Sequence, residues 1–142
     1  MNIVLKADST TLVLNGTVIN DFVESDIITL AGANPTTSHQ NGTGANVLIK
    51  KRSDSDVYDL TVNVIKYSNS DIFLNSALNQ EVPVVFNGSL KESFLRDGAE
   101  GVENWLLENG SLTDKPEHSY NSQDGNNTVS YKFRFRSGTR ML

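Results

Sequence analysis

Side chains that could do chemistry are few in this chain and lie far apart in the sequence. The two histidines, His39 and His118, lack ligand-spaced neighbours, and cysteine is absent, so we predict no zinc or thiolate site. Thr37, Ser38 and His39 are consecutive, but adjacency along a chain is not the geometry of a catalytic triad. No Gly-x-Ser-x-Gly elbow is present either. We therefore predict no catalytic residues and expect that the protein is not an enzyme.

Two patterns resemble ligand-binding loops only loosely. Asp54, Asp56 and Asp59 lack the glycine and the distal glutamate of an EF-hand, so a solvated turn is favoured over a calcium site. The Gly-Thr-Gly sequence at 42–44 has no following Lys-Ser/Thr and opens no helix, which argues against a phosphate loop. We expect neither a metal nor a cofactor.

Length and composition predict a single domain over residues 1–142. This length suffices to bury a core. The net charge of −5 argues against a general nucleic-acid binder, which needs a basic surface. No apolar run approaches the roughly 20 residues that span a bilayer. Residues 1–6 are too short and too weakly basic for a signal peptide, so we expect synthesis in a cytoplasm.

The rest of the chain is organised around a strand that runs into a helix at residues 56–80. Its strand part alternates apolar and polar residues, with Tyr58, Leu60, Val62 and Val64 on one face. Ser-Asn-Ser-Asp at 68–71 is typical of a helix N-terminus. Apolar residues at i, i+3 and i+4 follow, and they predict a helix of about three turns that must pack on the sheet.

Asn-Gly pairs mark four candidate turns, because both residues of a type I′ turn need positive φ. Their flanks predict hairpins at Asn15 and, over 82–95, at Asn87, but only a turn within a polar loop at Asn41. The fourth pair begins at Asn109. Residues 100–108 fit a short helix or a strand almost equally, and both remain open. Other strands are predicted near 3–6, 10–14, 17–23, 26–30 and 47–52.

Two segments stand out as candidate contact surfaces. Residues 31–46 show no periodicity and predict a long loop, and such loops in compact domains are usually functional or disordered. The last strand, near 129–136, has an aromatic face and an opposite face of three cations, Lys132, Arg134 and Arg136. That basic row is either a solvated face or a surface that meets acidic residues of a neighbouring chain, drawn from the acidic 92–117 region.

The arrangement of these segments resembles the inner tail-tube proteins of contractile-tailed bacteriophages, in the branch of small Mu-like tube subunits. Five segments carry the resemblance and together cover most of the chain: TLVLNG at 11–16, INDFVESDII at 19–28, the strand and helix at 57–78, VPVV at 82–85 and WLLE at 105–108. The 86–118 region is longer than the usual pattern. The loop after Leu30 also lacks the charged residues of that pattern.

The resemblance implies a mainly β fold, an antiparallel two-sheet sandwich or barrel with one flanking helix and a long inter-subunit loop. It implies hexameric rings stacked as a tail tube inside a virion, assembled in the host cytoplasm with sheath, baseplate and tail terminator proteins. DNA would pass through the bore without specific binding, and no membrane would be involved. We hypothesise an inter-subunit interface made of Asn34, Thr36, Thr37, His39, Asn41, Thr43, Lys132, Arg134, Arg136, Glu100 and Glu103.

Other functions also fit a small β domain. A monomeric β-sandwich binding module of the carbohydrate-binding or adhesin type usually presents an exposed aromatic platform. Here Tyr58, Tyr67 and Tyr120 are scattered in the sequence. A tail terminator, or a secretion-system tube subunit of similar fold, is a further alternative, in which the protein still assembles but forms a different component.

Overall fold

The structure, a computed structural model, describes residues 1–6, 8–23, 27–118, 120 and 127–142. A further turn signal in the sequence, Gln-Asp-Gly-Asn at 123–126, lies outside the described residues. In the described part, the elements in chain order are β1 (Ile3–Val4), β2 (Thr10–Leu14), β3 (Thr17–Ile19), β4 (Ile28–Gly32), β5 (Thr37–Asn41), β6 (Val47–Lys51), β7 (Tyr58–Ile65), α1 (Asn69–Leu78), β8 (Phe86–Arg96), β9 (Ala99–Leu112) and β10 (Thr128–Met141).

Eight of these strands form one antiparallel sheet, in the order β3-β2-β8-β9-β10-β7-β4, with β1 paired to the far end of β8. Strands β5 and β6 form a separate two-stranded sheet. The predicted fold class, mainly β with two antiparallel sheets and one helix, is confirmed. The main sheet does not close into a barrel, because its end strands β3 and β4 are not paired with each other.

Strand β7 and helix α1 confirm the strand and helix predicted at 56–80. Leu60, Val62 and Val64 are fully buried on the predicted face. On the helix, Leu74 is buried and Phe73 packs against the same core, whereas the side chain of Ile72 is 61% exposed. The short helix is therefore held by one apolar face on the sheet, as its length requires.

The start of α1 is fixed by the carboxylate of Asp71, which binds both the preceding backbone and a residue of β10. Ser68 is the N-cap residue, and its Oγ accepts from the Asp71 N–H at 3.3 Å. Asp71 Oδ2 accepts from the Tyr67 N–H at 2.8 Å, and Oδ1 accepts from the Tyr131 hydroxyl at 2.5 Å. Burial and this hydrogen bond raise the pKa of the Tyr131 hydroxyl well above its usual value. The helix is thereby tied to β10.

The aromatic face of β10 forms the centre of the core, as predicted. Its four apolar residues are fully or almost fully buried: Val129, Tyr131, Phe133 and Phe135. The Phe86 ring meets the Phe133 ring edge-on at 5.3 Å between centroids, and Phe73 meets Phe86 at 6.4 Å. Such pairs contribute roughly 0.5–1.5 kcal/mol each beyond the area they bury.

The hairpin predicted at Asn15 is confirmed, since Asn15 and Gly16 both have positive φ between β2 and β3. The hairpin predicted over 82–95 is wrong, because β8 runs straight through Asn87 with only a register shift there. The turn that joins β8 to β9 is instead Asp97-Gly98, with φ of 48° and 80°. This Asp-Gly pair has the same type I′ chemistry as Asn-Gly.

Asn87 and Asn109 lie within strands β8 and β9, not in turns. The Asn87 N–H donates to Asn15 Oδ1, and the Asn109 N–H donates to Asn87 Oδ1, each at 2.9 Å. The side chains of Asn15 and Asn87 thus accept hydrogen bonds from backbone N–H groups where the pairing of β8 is irregular, as side chains commonly do at a bulge. These two hydrogen bonds link the end of β2 to β8, and β8 to β9.

Two further predictions are settled by the pairing of strands. Residues 100–108 lie within β9, so the strand alternative is the correct one. The prediction that 31–46 is a loop without structure is wrong, because Thr37–Asn41 is β5, paired in register with β6. All five residues of β5 are exposed, so no apolar alternation marks the strand in the sequence. Strands β3 and β4 are Thr17–Ile19 and Ile28–Gly32, against predictions of 17–23 and 26–30.

Candidate assembly surface

The most exposed element of the fold is the hairpin of residues 37–51, which we call the arm. All ten residues of β5 and β6 are exposed. The side chains of Val47, Leu48 and Ile49 are 51%, 61% and 58% exposed. Because side chains alternate along a strand, Val47 and Ile49 lie on one face of the arm and Leu48 on the other, so both faces carry exposed apolar surface of the kind found at interaction sites.

Register divides the arm into two faces. Thr37, His39 and Asn41 share one face with Val47 and Ile49, because Thr37 pairs with Lys51, His39 with Ile49 and Asn41 with Val47. Three residues of the hypothesised interface thus lie on one face. Thr43 lies in the turn that joins the strands. The structure brings these four together.

The base of the arm is anchored to the domain. The Arg52 N–H donates to the Thr36 carbonyl oxygen at 2.9 Å, and Asn34 Nδ2 donates to the Asp54 carbonyl oxygen at 3.2 Å. Arg52 also pairs with the Asp54 carboxylate at 2.9 Å, which lowers the pKa of Asp54. Asn34 and Thr36, both placed in the hypothesised interface, therefore already have partners in their own chain.

The basic row on β10 is partly paired within the chain. Arg134 contacts both oxygens of Asp59 on neighbouring β7, at 2.8 and 3.2 Å. This hydrogen-bonded pair lowers the pKa of Asp59. One guanidinium nitrogen of Arg136 donates to the Ser53 carbonyl oxygen at 3.2 Å, whereas Lys132 is exposed. The intrachain partners favour the solvated-face interpretation for the two arginines.

The two hypothesised acidic residues lie on β9, away from the arm in sequence. Glu103 pairs with Arg140 of β10, with 2.6 Å between Oε2 and Nε. Glu100 is exposed next to the Asp97-Gly98 turn. Of these two, Glu100 is thus the better placed to meet a cation of another molecule.

The main sheet adds a second kind of contact surface. Its end strands β3 and β4 each have one edge that no described strand pairs with. Unpaired N–H and C=O groups on such an edge are a template for pairing with another chain. Neither the arm nor these edges carries a sequence motif, so they are recognisable only in the three-dimensional structure.

One cluster corrects the view that the tyrosines are scattered. The Lys66 ammonium lies 3.6 Å from the centroid of the Tyr120 ring and 5.2 Å from that of Tyr67. Both rings are largely exposed. Tyr67 has a φ of 68°, which is rare for a bulky residue, and its N–H bond to Asp71 holds that conformation. Both rings thus lie close to the same Lys66 side chain of their own chain.

Within the described residues, no group of three or more His, Asp or Glu side chains is placed to hold a metal ion. The helix among them is too short and too polar to cross a membrane. Open grooves on the outer face of β7 and β10 are lined by charges of both signs, among them Asp59, Asp114 and Lys132. Among the described surfaces, the arm is therefore the best candidate for contact with another molecule, because it exposes large apolar residues.

Comparison with solved structures finds the same fold in a chain of the baseplate of the anti-feeding prophage, a sixfold-symmetrised cryo-electron microscopy structure. The TM-score is 0.52 with 11% sequence identity, and the match covers 93% of this chain and 90% of that one. No protein-family model and no curated protein sequence matches the chain. The likeness shows a shared fold over almost the whole of both chains.

Proposed function

We propose that the protein is a structural subunit of a contractile tail or a related injection apparatus, and that it self-assembles into rings of the tube type. One observation carries the proposal: the arm exposes Val47, Leu48 and Ile49 on a hairpin that stands apart from the main sheet. Apolar side chains in that position lose contact with water only when another molecule covers them.

Two other features support assembly with identical copies. The open edges of β3 and β4 lie at opposite ends of one sheet, so copies placed side by side can continue each other's sheets. A head-to-tail contact of this kind closes into a ring when the rotation between copies is right. The anti-feeding prophage baseplate, whose chain has this fold, is a sixfold structure according to its own description.

In this proposal the chain has a virion or injection-particle location and works by contact alone, without catalysis. Its partners are further copies of itself and the neighbouring components of the tail or baseplate. Sheath, baseplate and tail terminator proteins are the expected classes. A negative net charge on every subunit disfavours tight binding of DNA to the assembled wall, which suits a conduit for ejection.

Negative-stain electron microscopy, together with sedimentation over a range of concentrations, tests the proposal. The wild-type protein should form rings or hollow rods as its concentration rises. The double variant Val47→Asp with Ile49→Asp should stay monomeric with an unchanged circular dichroism spectrum, because charge on the arm prevents burial against another copy.

The matched control is Ile72→Asp, since Ile72 is as exposed as Ile49 but lies on the outer side of α1. It should assemble like the wild type. If the wild type is monomeric at every concentration, a binding module is favoured instead. If the arm variant assembles normally, the copies associate through other surfaces.

A further inference from the structure

The four Asn-Gly pairs differ sharply in structural setting. Three belong to the main sheet: Asn15 at the β2–β3 turn, Asn87 inside β8 and Asn109 inside β9. The fourth, Asn41-Gly42, lies where β5 enters the turn of the arm. This difference has a chemical consequence, because Asn-Gly is the dipeptide most prone to spontaneous deamidation.

Deamidation has geometric requirements. The backbone nitrogen of the glycine attacks the asparagine Cγ, the side-chain amide leaves as ammonia, and a five-membered succinimide forms. Water then opens this ring at either carbonyl to give aspartate or isoaspartate. Glycine permits the attack because it has no Cβ to obstruct the approach. The asparagine side chain must turn freely, and the glycine N–H must leave any hydrogen bond that holds it.

The sheet denies these conditions to three of the pairs. Asn15 is held by two bonds, since its Nδ2 donates to the Val85 carbonyl oxygen at 3.0 Å and its Oδ1 accepts from the Asn87 N–H at 2.9 Å. The Asn87 side chain accepts from the Asn109 N–H.

The glycines of the second and third pairs are held as well. Gly88 lies in a strand paired on both sides, and a Cβ there would approach the Val13 carbonyl oxygen to 1.9 Å. Gly110 is buried under the Phe135 ring, within a strand that is likewise paired on both sides. Attack at either position therefore requires the sheet to open.

The Asn41 side chain is not restrained in this way. It is exposed, and no hydrogen bond of its side chain is found among the described residues. The Gly42 N–H does donate to the Asn46 carbonyl oxygen at 2.9 Å. That bond closes a two-stranded hairpin of exposed residues, however, and such hairpins open at little cost.

We infer that Asn41 is the asparagine that deamidates in the folded protein, and that the other three Asn-Gly pairs are protected by the sheet. The product places a new carboxylate, and in isoaspartate an extra backbone atom, on the face of the arm that carries His39 and Ile49. An effect of this change on assembly would rest on the proposed function, whereas the modification itself does not.

The test incubates dilute folded protein at mildly alkaline pH and follows aspartate and isoaspartate at each Asn-Gly pair by peptide mass spectrometry. Asn41 should react at least roughly a hundredfold faster than Asn87 or Asn109, because local opening of an unpacked hairpin is far cheaper than opening the sheet. It should also react faster than Asn15, whose side chain must first break its two hydrogen bonds. In protein unfolded by denaturant, the four rates should converge.

Gly42→Ala should slow the reaction at position 41 and leave the other three pairs unchanged. Equal rates at Asn41 and Asn15 in the folded protein would overturn the inference. So would an Asn41 that stays intact in the folded protein while the unfolded chain reacts. None of these results depends on whether the protein assembles.

Discussion

Replacement of Tyr131 by phenylalanine tests the link between the helix and the sheet. The Tyr131 side chain is fully buried, and its hydroxyl donates to Asp71 Oδ1, a carboxylate oxygen of a residue only 8% exposed. Phenylalanine keeps the ring and opens no cavity. The variant therefore loses one hydrogen bond to a charged acceptor, which is worth about 1.5–3 kcal/mol.

The free energy of unfolding, measured by urea denaturation at neutral pH, should fall by about 2 kcal/mol, with a decrease in Tm of roughly 4–8 °C for a domain of this size. Tyr58→Phe is the matched control. The Tyr58 hydroxyl has no hydrogen bond among the described residues, although its ring packs edge-on against Trp105. That variant should lose less than about 0.5 kcal/mol.

The same variant makes a prediction about alkaline pH. Because the pKa of Tyr131 is raised in the folded state, its contribution to stability is fully present below the pKa of an unfolded tyrosine, about 10, and is lost as pH rises above that value. The stability gap between wild type and Tyr131→Phe should therefore narrow from pH 9 to about pH 11. A gap that stays constant over this range, or a loss as small as that of Tyr58→Phe, would refute the role assigned to the Tyr131 hydroxyl.

Two smaller predictions concern the sheet. Gly110→Ala places a Cβ 2.3 Å from the Phe135 ring and should cost about 1–3 kcal/mol in urea denaturation; an unchanged midpoint would show that the ring can move aside. Arg134→Ala should raise the pKa of Asp59 toward its ordinary value in an NMR titration of the carboxyl carbons, whereas Lys132→Ala should not; an unmoved Asp59 would mean that the pair does not persist in solution.

The main elements of the fold could be predicted because their signals are local. Alternation of apolar residues at 58–64 and 129–135 identified two strands of the core, and Ser68 marked the helix start. These signals arise because each element buries one face, and a buried face requires apolar residues at a regular spacing in the sequence. The fold class follows from them.

The arm could not be predicted as a hairpin, for a physical reason. Residues 37–41 bury nothing, so apolar periodicity carries no information about them, and only backbone pairing with β6 makes them a strand. The hairpin expected at Asn87 failed differently. An Asn-Gly pair tolerates positive φ, which suits a turn, but its asparagine side chain can also accept hydrogen bonds from the backbone. At Asn87 the second property matters, because its side chain accepts a hydrogen bond beside a bulge inside the sheet.

The inter-subunit interface itself stays a prediction, although four of its residues are close together in the structure. Thr37, His39, Asn41 and Thr43 do lie together on the arm. The three exposed apolar residues beside them, 47–49, were recognised only as a strand, since exposure cannot be read from a short apolar run. Arg134 was placed in the interface as part of the basic row that could meet acidic residues of a neighbouring chain. Its intrachain partner Asp59 could not be foreseen, because the pair depends on the register between β10 and β7.

The central claim is that identical copies cover the arm and the open edge of β4. Hydrogen–deuterium exchange of the wild-type protein, compared between dilute and concentrated solution, measures this cover directly. Amides of 37–51 and of Ile28–Gly32 should exchange more slowly in the concentrated sample, while those of α1 should not change. Assembly in the concentrated sample with arm and β4 amides that exchange as fast as in the dilute one would contradict the claim.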